Sequence, residues 1–137
     1  MRVDGKGNCQ SSIANCQSGE SVPPLVTLLR ERIGEITRRE AEGRPLIHLY
    51  GVGEYWVAFE RSAYRLRRLF PRAMTTPMRF VGHPFPLVMV SVTDAELRAY
   101  TRLHLFQREG DDYGRLAAPD RPLSGYPAWH KRQTKGL

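Results

Sequence analysis

The stretch that decides the fold is Leu46-Ile47-His48-Leu49-Tyr50-Gly51-Val52-Gly53-Glu54-Tyr55-Trp56-Val57-Ala58-Phe59, followed at once by Glu60-Arg61-Ser62-Ala63-Tyr64-Arg65-Leu66-Arg67-Arg68-Leu69-Phe70. Leu46 to Tyr50 is short, apolar and bounded by Pro45 and Gly51, as a buried strand would be. Gly51-Val52-Gly53 reads as a turn or bulge. Glu54 to Phe59 is aromatic and β-branched, the composition of a second strand. From Glu60 to Phe70 the period changes to that of a helix, with Ala63, Leu66 and Phe70 inward and Arg61, Arg65 and Arg68 outward. Pro71 ends it.

Working outward, Pro23-Pro24 opens an earlier helix, because proline is tolerated in a first turn. Leu25, Leu28, Leu29, Ile33 and Ile36 form its apolar stripe, and Gly43 and Pro45 stop it. Downstream, Met78 to Val81 and Pro86 to Val92 predict two more strands. Thr93-Asp94-Ala95-Glu96 is a capping box, in which hydroxyl and carboxylate satisfy backbone N–H groups reciprocally. The helix it opens is expected to reach about Phe106, with Leu97, Tyr100 and Leu103 buried. The predicted fold is α/β, a mixed β-sheet flanked by about three helices. A mobile, polar arm is expected over residues 1–22, the α/β domain over 23–110, and a Pro-rich, basic extension over 111–137.

With 137 residues there is room for one domain. No apolar stretch approaches the ~20 residues of a membrane span. The N-terminus has no hydrophobic region behind its charges, so the expectation is a cytoplasmic protein that engages no membrane. Cys9 and Cys16 cannot by themselves complete a zinc site, and no metal or other cofactor is expected. The sequence lacks a Gly-x-x-x-x-Gly-Lys-Ser/Thr phosphate loop, a Gly-x-Ser-x-Gly elbow and a His-Glu-x-x-His pair. His48 reads as a satisfied core histidine, His83 as turn chemistry, and Asp111 and Asp112 as solvated turn residues. The expectation is a protein that binds and is no enzyme.

The net charge of +7 favours polyanionic partners. More than half of it lies between Arg44 and Arg72, where six arginines face only Glu54 and Glu60. Arginines without counter-charges suit phosphate contact.

The run Leu49 to Glu60 resembles the signature of the N-terminal mismatch-recognition domain of the MutS DNA mismatch repair family. The helix from Pro24, the arginine-rich helix to Phe70 and the segment Pro77-Met78-Arg79-Phe80-Val81-Gly82-His83-Pro84-Phe85 follow the family's order, so the likeness covers about Pro23 to Phe106. It implies duplex DNA as a partner. It also implies a stacking aromatic at Tyr55, and it places Val57 where the family has a glutamate that hydrogen-bonds the mispaired base. Valine cannot make that bond, so phosphate-dominated binding with little mismatch preference is expected. Tyr55, Arg61, Arg65, Arg68 and Arg72 would touch DNA, helped by Lys131, Arg132 and Lys135 in the tail. The family's clamp and ATPase have no counterpart here, which implies a protein partner that carries them. The same residues also admit plainer readings, a packed aromatic strand and a solvated helix face. A protein-interaction module that docks through Tyr126 and Trp129 is the alternative.

Overall fold

A computed structural model describes residues 24–80, 83–119 and 122–137. The expected N-terminal arm and both cysteines lie outside the described residues. Residues 32–137 form one compact unit. Helix α1, Pro24–Ala41, begins on the expected proline and is followed by Gly43 at φ 72°, a left-handed stop that glycine adopts without steric cost.

Strands β1 (Leu46–Val52) and β2 (Tyr55–Phe59) form the expected pair, and helix α2 (Glu60–Leu69) follows directly. Next come β3 (Met74–Met78), β4 (Leu87–Thr93), α3 (Asp94–Thr101), β5 (Phe106–Arg108), β6 (Tyr113–Ala117) and α4 (Tyr126–Thr134). The strands form one sheet in the order β3-β4-β2-β1-β6-β5. Every ladder is antiparallel. The α/β class holds, while the mixed sheet expected from sequence is, among the described residues, an antiparallel one carrying four helices. The reason lies in β4, which inserts between β2 and β3 and splits the β2-α2-β3 crossover, so its two parallel strands never touch.

Three further segments depart from the sequence reading. The third strand is Met74–Met78, where Thr75 and Thr76 supply β-branched residues. It lies at the sheet edge, where Pro77 costs no ladder bond on the open side. The third helix has its capping box, with Thr93 Oγ1 accepting from the Glu96 N–H at 3.1 Å, but it stops at Thr101. Leu103, expected inside, is therefore 87% exposed. Residues after Gly110 are an integral part of the sheet unit. β6 pairs with β1 along its length, and α4 buries Trp129 among core residues.

Strand alternation divides the core. Ile47, Leu49, Trp56, Ala58, Val90 and Leu116 pack beneath α2 and α4, with Ala63, Leu66 and Trp129 facing them. His48, Tyr50, Val57, Phe59 and Tyr113 turn to the other face and are buried there too. Arg39 of α1 lies over the Tyr113 ring at 3.8 Å and donates to the Tyr50 hydroxyl at 3.3 Å. His48 is the satisfied core histidine expected from sequence, with Nδ1 2.7 Å from the Tyr113 hydroxyl. Burial, aided by nearby Arg39, lowers its pKa to about 4.

Candidate functional site

Helix α2 starts without a capping side chain of its own, because Phe59 occupies its N-cap. The missing acceptor comes from α1. The Glu40 carboxylate accepts the Ser62 N–H at 2.9 Å and the Ser62 hydroxyl at 2.6 Å, and Ser62 Oγ in turn accepts the His48 N–H at 3.0 Å. An acid near a helix N-terminus is electrostatically favoured. Burial nevertheless pushes the Glu40 carboxyl up to about 7, against the two Ser62 bonds that lower it.

The arginines of α2 answer the other half of this junction. Arg61 Nη1 donates to the Glu40 carbonyl at 2.7 Å, which satisfies an orphan acceptor in the last turn of α1. Arg65 Nη1 donates to the carbonyls of Arg44 and Leu46 at 2.9 and 3.1 Å. Arg68 Nη1 reaches the Pro122 carbonyl at 3.1 Å, and its guanidinium lies 5.2 Å from the Tyr64 ring. Arg67 donates to the Pro71 carbonyl. Arg72 is exposed in the turn after the helix. Among the described residues none of these five is paired with a carboxylate. A carbonyl contact leaves the charge whole and leaves guanidinium donors to spare.

Tyr55 is 53% exposed, as a stacking ring would have to be. It lies in a cleft with Glu54, Asp94, Arg98 and Arg108 at the turn end of β2. Arg98 is held by Asp94 at 2.6 Å, and Arg108 lies 5.3 Å from the Trp56 ring. Because Trp56 and Ala58 point beneath α2, alternation sends the Tyr55 side chain to the opposite face of the sheet. Arg61 and Arg65 also lie at the far end, beside Leu46 and just after Phe59. Tyr55 and the α2 arginines are thus not brought together. Val57 is buried.

What the fold does bring together is the second half of α2 and α4. Arg67 and Arg68 line a cleft of about 450 Å³ with Tyr64, Thr75, Trp129 and Gln133, and no carboxylate is among its lining residues. Of the tail residues, Lys131, Arg132 and Lys135 are exposed on or just after α4. Trp129 is only 8% exposed and Tyr126 half-buried, so these aromatics pack inward and do not present a docking surface.

A second cleft, of about 690 Å³, opens where α1 ends, α2 begins and α4 crosses. Glu60, His83, Tyr126 and His130 line it together with Arg61 and Lys131. Glu60 Oε1 accepts the Val88 N–H at 2.9 Å and lies 3.0 Å from His130 Nε2. The Tyr126 hydroxyl donates to Glu60 Oε2 at 3.4 Å, and burial first, then Glu60, raises the pKa of that phenol. No local sequence pattern marks this cluster as a whole. Its members stand up to seventy residues apart, and the one local signal was an acid placed directly behind a strand that supplies no cap.

Among the described residues no group of three or more His, Cys, Asp or Glu side chains is arranged to hold a metal ion, and no helix is long and apolar enough to cross a membrane. Comparison of the chain with protein-family models, with curated proteins and with solved structures finds no match.

Proposed function

We propose that this protein is a binding domain for double-stranded DNA that acts mainly on phosphates and does no chemistry on the DNA, in the manner of a MutS recognition domain stripped of mismatch reading. The observation that carries the reading is the acid-free cleft of Arg67 and Arg68, which Trp129 and Gln133 of α4 close on the other side. Guanidinium groups anchored on carbonyls, with their charge unspent, are pre-organised for phosphate oxygens. Tyr55 stacks at most on a separate part of the ligand, since its ring leaves the sheet on the other face. Val57, buried and apolar, offers nothing to a base edge. The clamp and ATPase functions of the family would belong to a separate protein partner.

Fluorescence anisotropy of matched and mismatched duplexes at 50 and 200 mM salt tests the proposal. Four phosphate contacts should weaken binding on the order of 100-fold over that range. Substituting Arg67→Ala and Arg68→Ala together should lower the logarithmic salt slope by about 2. The two duplexes should bind alike. Affinity that ignores salt, or no binding at 50 mM, would sink the reading.

One observation favours a second reading, a protein-interaction module. Leu103 and Leu105 are 87% and 73% exposed, immediately before the short edge strand β5. Apolar side chains beside an open edge suit strand addition by a partner. A partner retained after nuclease treatment, and lost on Leu103→Lys with Leu105→Lys, would support it.

A further inference from the structure

Glu60 is the one residue other than glycine with a left-handed backbone among the described residues, at φ 55°. A residue with a Cβ held there costs about 1–2 kcal/mol, and such strain gathers where a fold positions chemistry. Here it aims a carboxylate at His130. With Nε2 on Glu60 Oε1 at 3.0 Å, the ring is oriented, and Nδ1 has no partner among the described residues. This is how a carboxylate prepares an imidazole for proton transfer. A second imidazole, His83, lines the same cleft, and so do the cations Arg61 and Lys131.

The cleft supplies bases and cations, but its hydroxyls are already spent. Thr37 Oγ1 donates to the Ile33 carbonyl at 3.0 Å, Thr134 Oγ1 to the His130 carbonyl at 2.9 Å, and Tyr126 to Glu60. A substrate that brings its own nucleophile therefore suits this cleft. A substrate that carries a hydroxyl beside an anionic electrophile is RNA, whose ribose 2′-OH neighbours the phosphodiester.

We propose that this cleft cleaves single-stranded RNA by internal transphosphorylation. The free nitrogen of His130 removes the 2′-OH proton as the O2′–P bond forms. The P–O5′ bond breaks, and His83, entering as the imidazolium, gives its proton to O5′. The products are a 2′,3′-cyclic phosphate and a 5′-hydroxyl. One imidazole gains the proton the other loses, so no co-reactant is needed. Arg61 and Lys131 hold the non-bridging oxygens, where negative charge develops. Phe85, exposed on the rim beside His83 with ring centroids 6.4 Å apart, offers a face on which a base stacks. Glu60 is a positioning residue for His130. The inference does not rest on the DNA-binding reading, because the two clefts share no lining residue.

The test incubates the purified full chain with the dinucleotide UpA in excess EDTA and follows the 2′,3′-cyclic phosphate by chromatography and mass spectrometry. His130→Ala and His83→Ala, prepared identically, should each lose on the order of 100-fold or more of the rate, the usual contribution of a positioned acid or base. Glu60→Gln should slow cleavage and displace the acidic limb of the pH–rate profile, the limb that the base sets, while the alkaline limb stays in place; a purely structural role would move neither, and Glu40, Arg61 and Lys131, which face the same space, remain unchanged in that variant. The 2′-deoxy analogue should be inert. No cyclic phosphate from the wild type would overturn the proposal. So would His130→Ala or His83→Ala with wild-type melting and an undiminished rate. His83 stands on a loop, so its variant stays informative if the α4 variant unfolds.

Discussion

Replacing Glu40 with glutamine converts a buried titrating cap into a neutral one of the same shape. The amide oxygen can still accept the Ser62 N–H, and the amide N–H can donate to Ser62 Oγ, which otherwise gives its own proton to the carboxylate. The folded carboxyl titrates at about 7, against the ordinary value of 4.5, with burial as the main cause. A raised carboxyl favours folding at low pH and loses that contribution as pH climbs from about 4.5 through 7, because the unfolded chain releases the proton first. Between pH 5 and pH 8 the wild type should therefore lose roughly 2.5 kcal/mol relative to Glu40→Gln, at about 1.4 kcal/mol per pH unit across the titrating window. Urea unfolding of both proteins at these two pH values, with a common m-value, reads the difference directly. The variant should be the more stable at pH 8 and close to the wild type at pH 5. Stability differences that stay constant from pH 5 to pH 8 would refute the claim that Glu40 is desolvated at the α1–α2 junction.

Trp129→Ala should cost about 3–5 kcal/mol in urea unfolding, since it empties a site against Tyr64, whose ring centroid lies 5.3 Å away; a loss under about 1 kcal/mol would mean α4 is not part of the core. Thr93→Ala should lower stability by about 1 kcal/mol by removing the capping box of α3, and the Glu96 amide should then exchange faster with solvent. Gly114→Ala should destabilise by about 1–3 kcal/mol, because a Cβ there collides with the Phe106 ring. Combining it with Phe106→Ala should make the two costs fall short of additive, and strict additivity would place the clash elsewhere.

Much of the secondary structure was legible because it is encoded locally. Proline at the start and glycine past the end bound α1, the Thr93–Glu96 box opens α3, and the apolar run from Leu46 and the aromatic run to Phe59 form a hairpin. Where tertiary pairing competes with local signal, the pairing wins. Phe106–Arg108 looks like the tail of a helix, yet it is drawn into the sheet as the partner of β6. Tyr113–Ala117 sits among glycines and prolines and reads as loop until β1 supplies a full ladder for it. Trp129 looks like an exposed aromatic in a basic tail until α4 folds it against α2.

An α/β domain, a strong positive charge and a concentration of arginines after Phe59 follow from composition and short periods, which need no long-range information. Long-range packing makes the sheet antiparallel, puts Tyr55 and the α2 arginines on its opposite faces, and brings Glu40, Glu60, His83 and His130 together. The reason is strand alternation together with the inserted β4: a one-residue step along β2 selects the face, and a topological insertion, invisible to any local window, selects the neighbours.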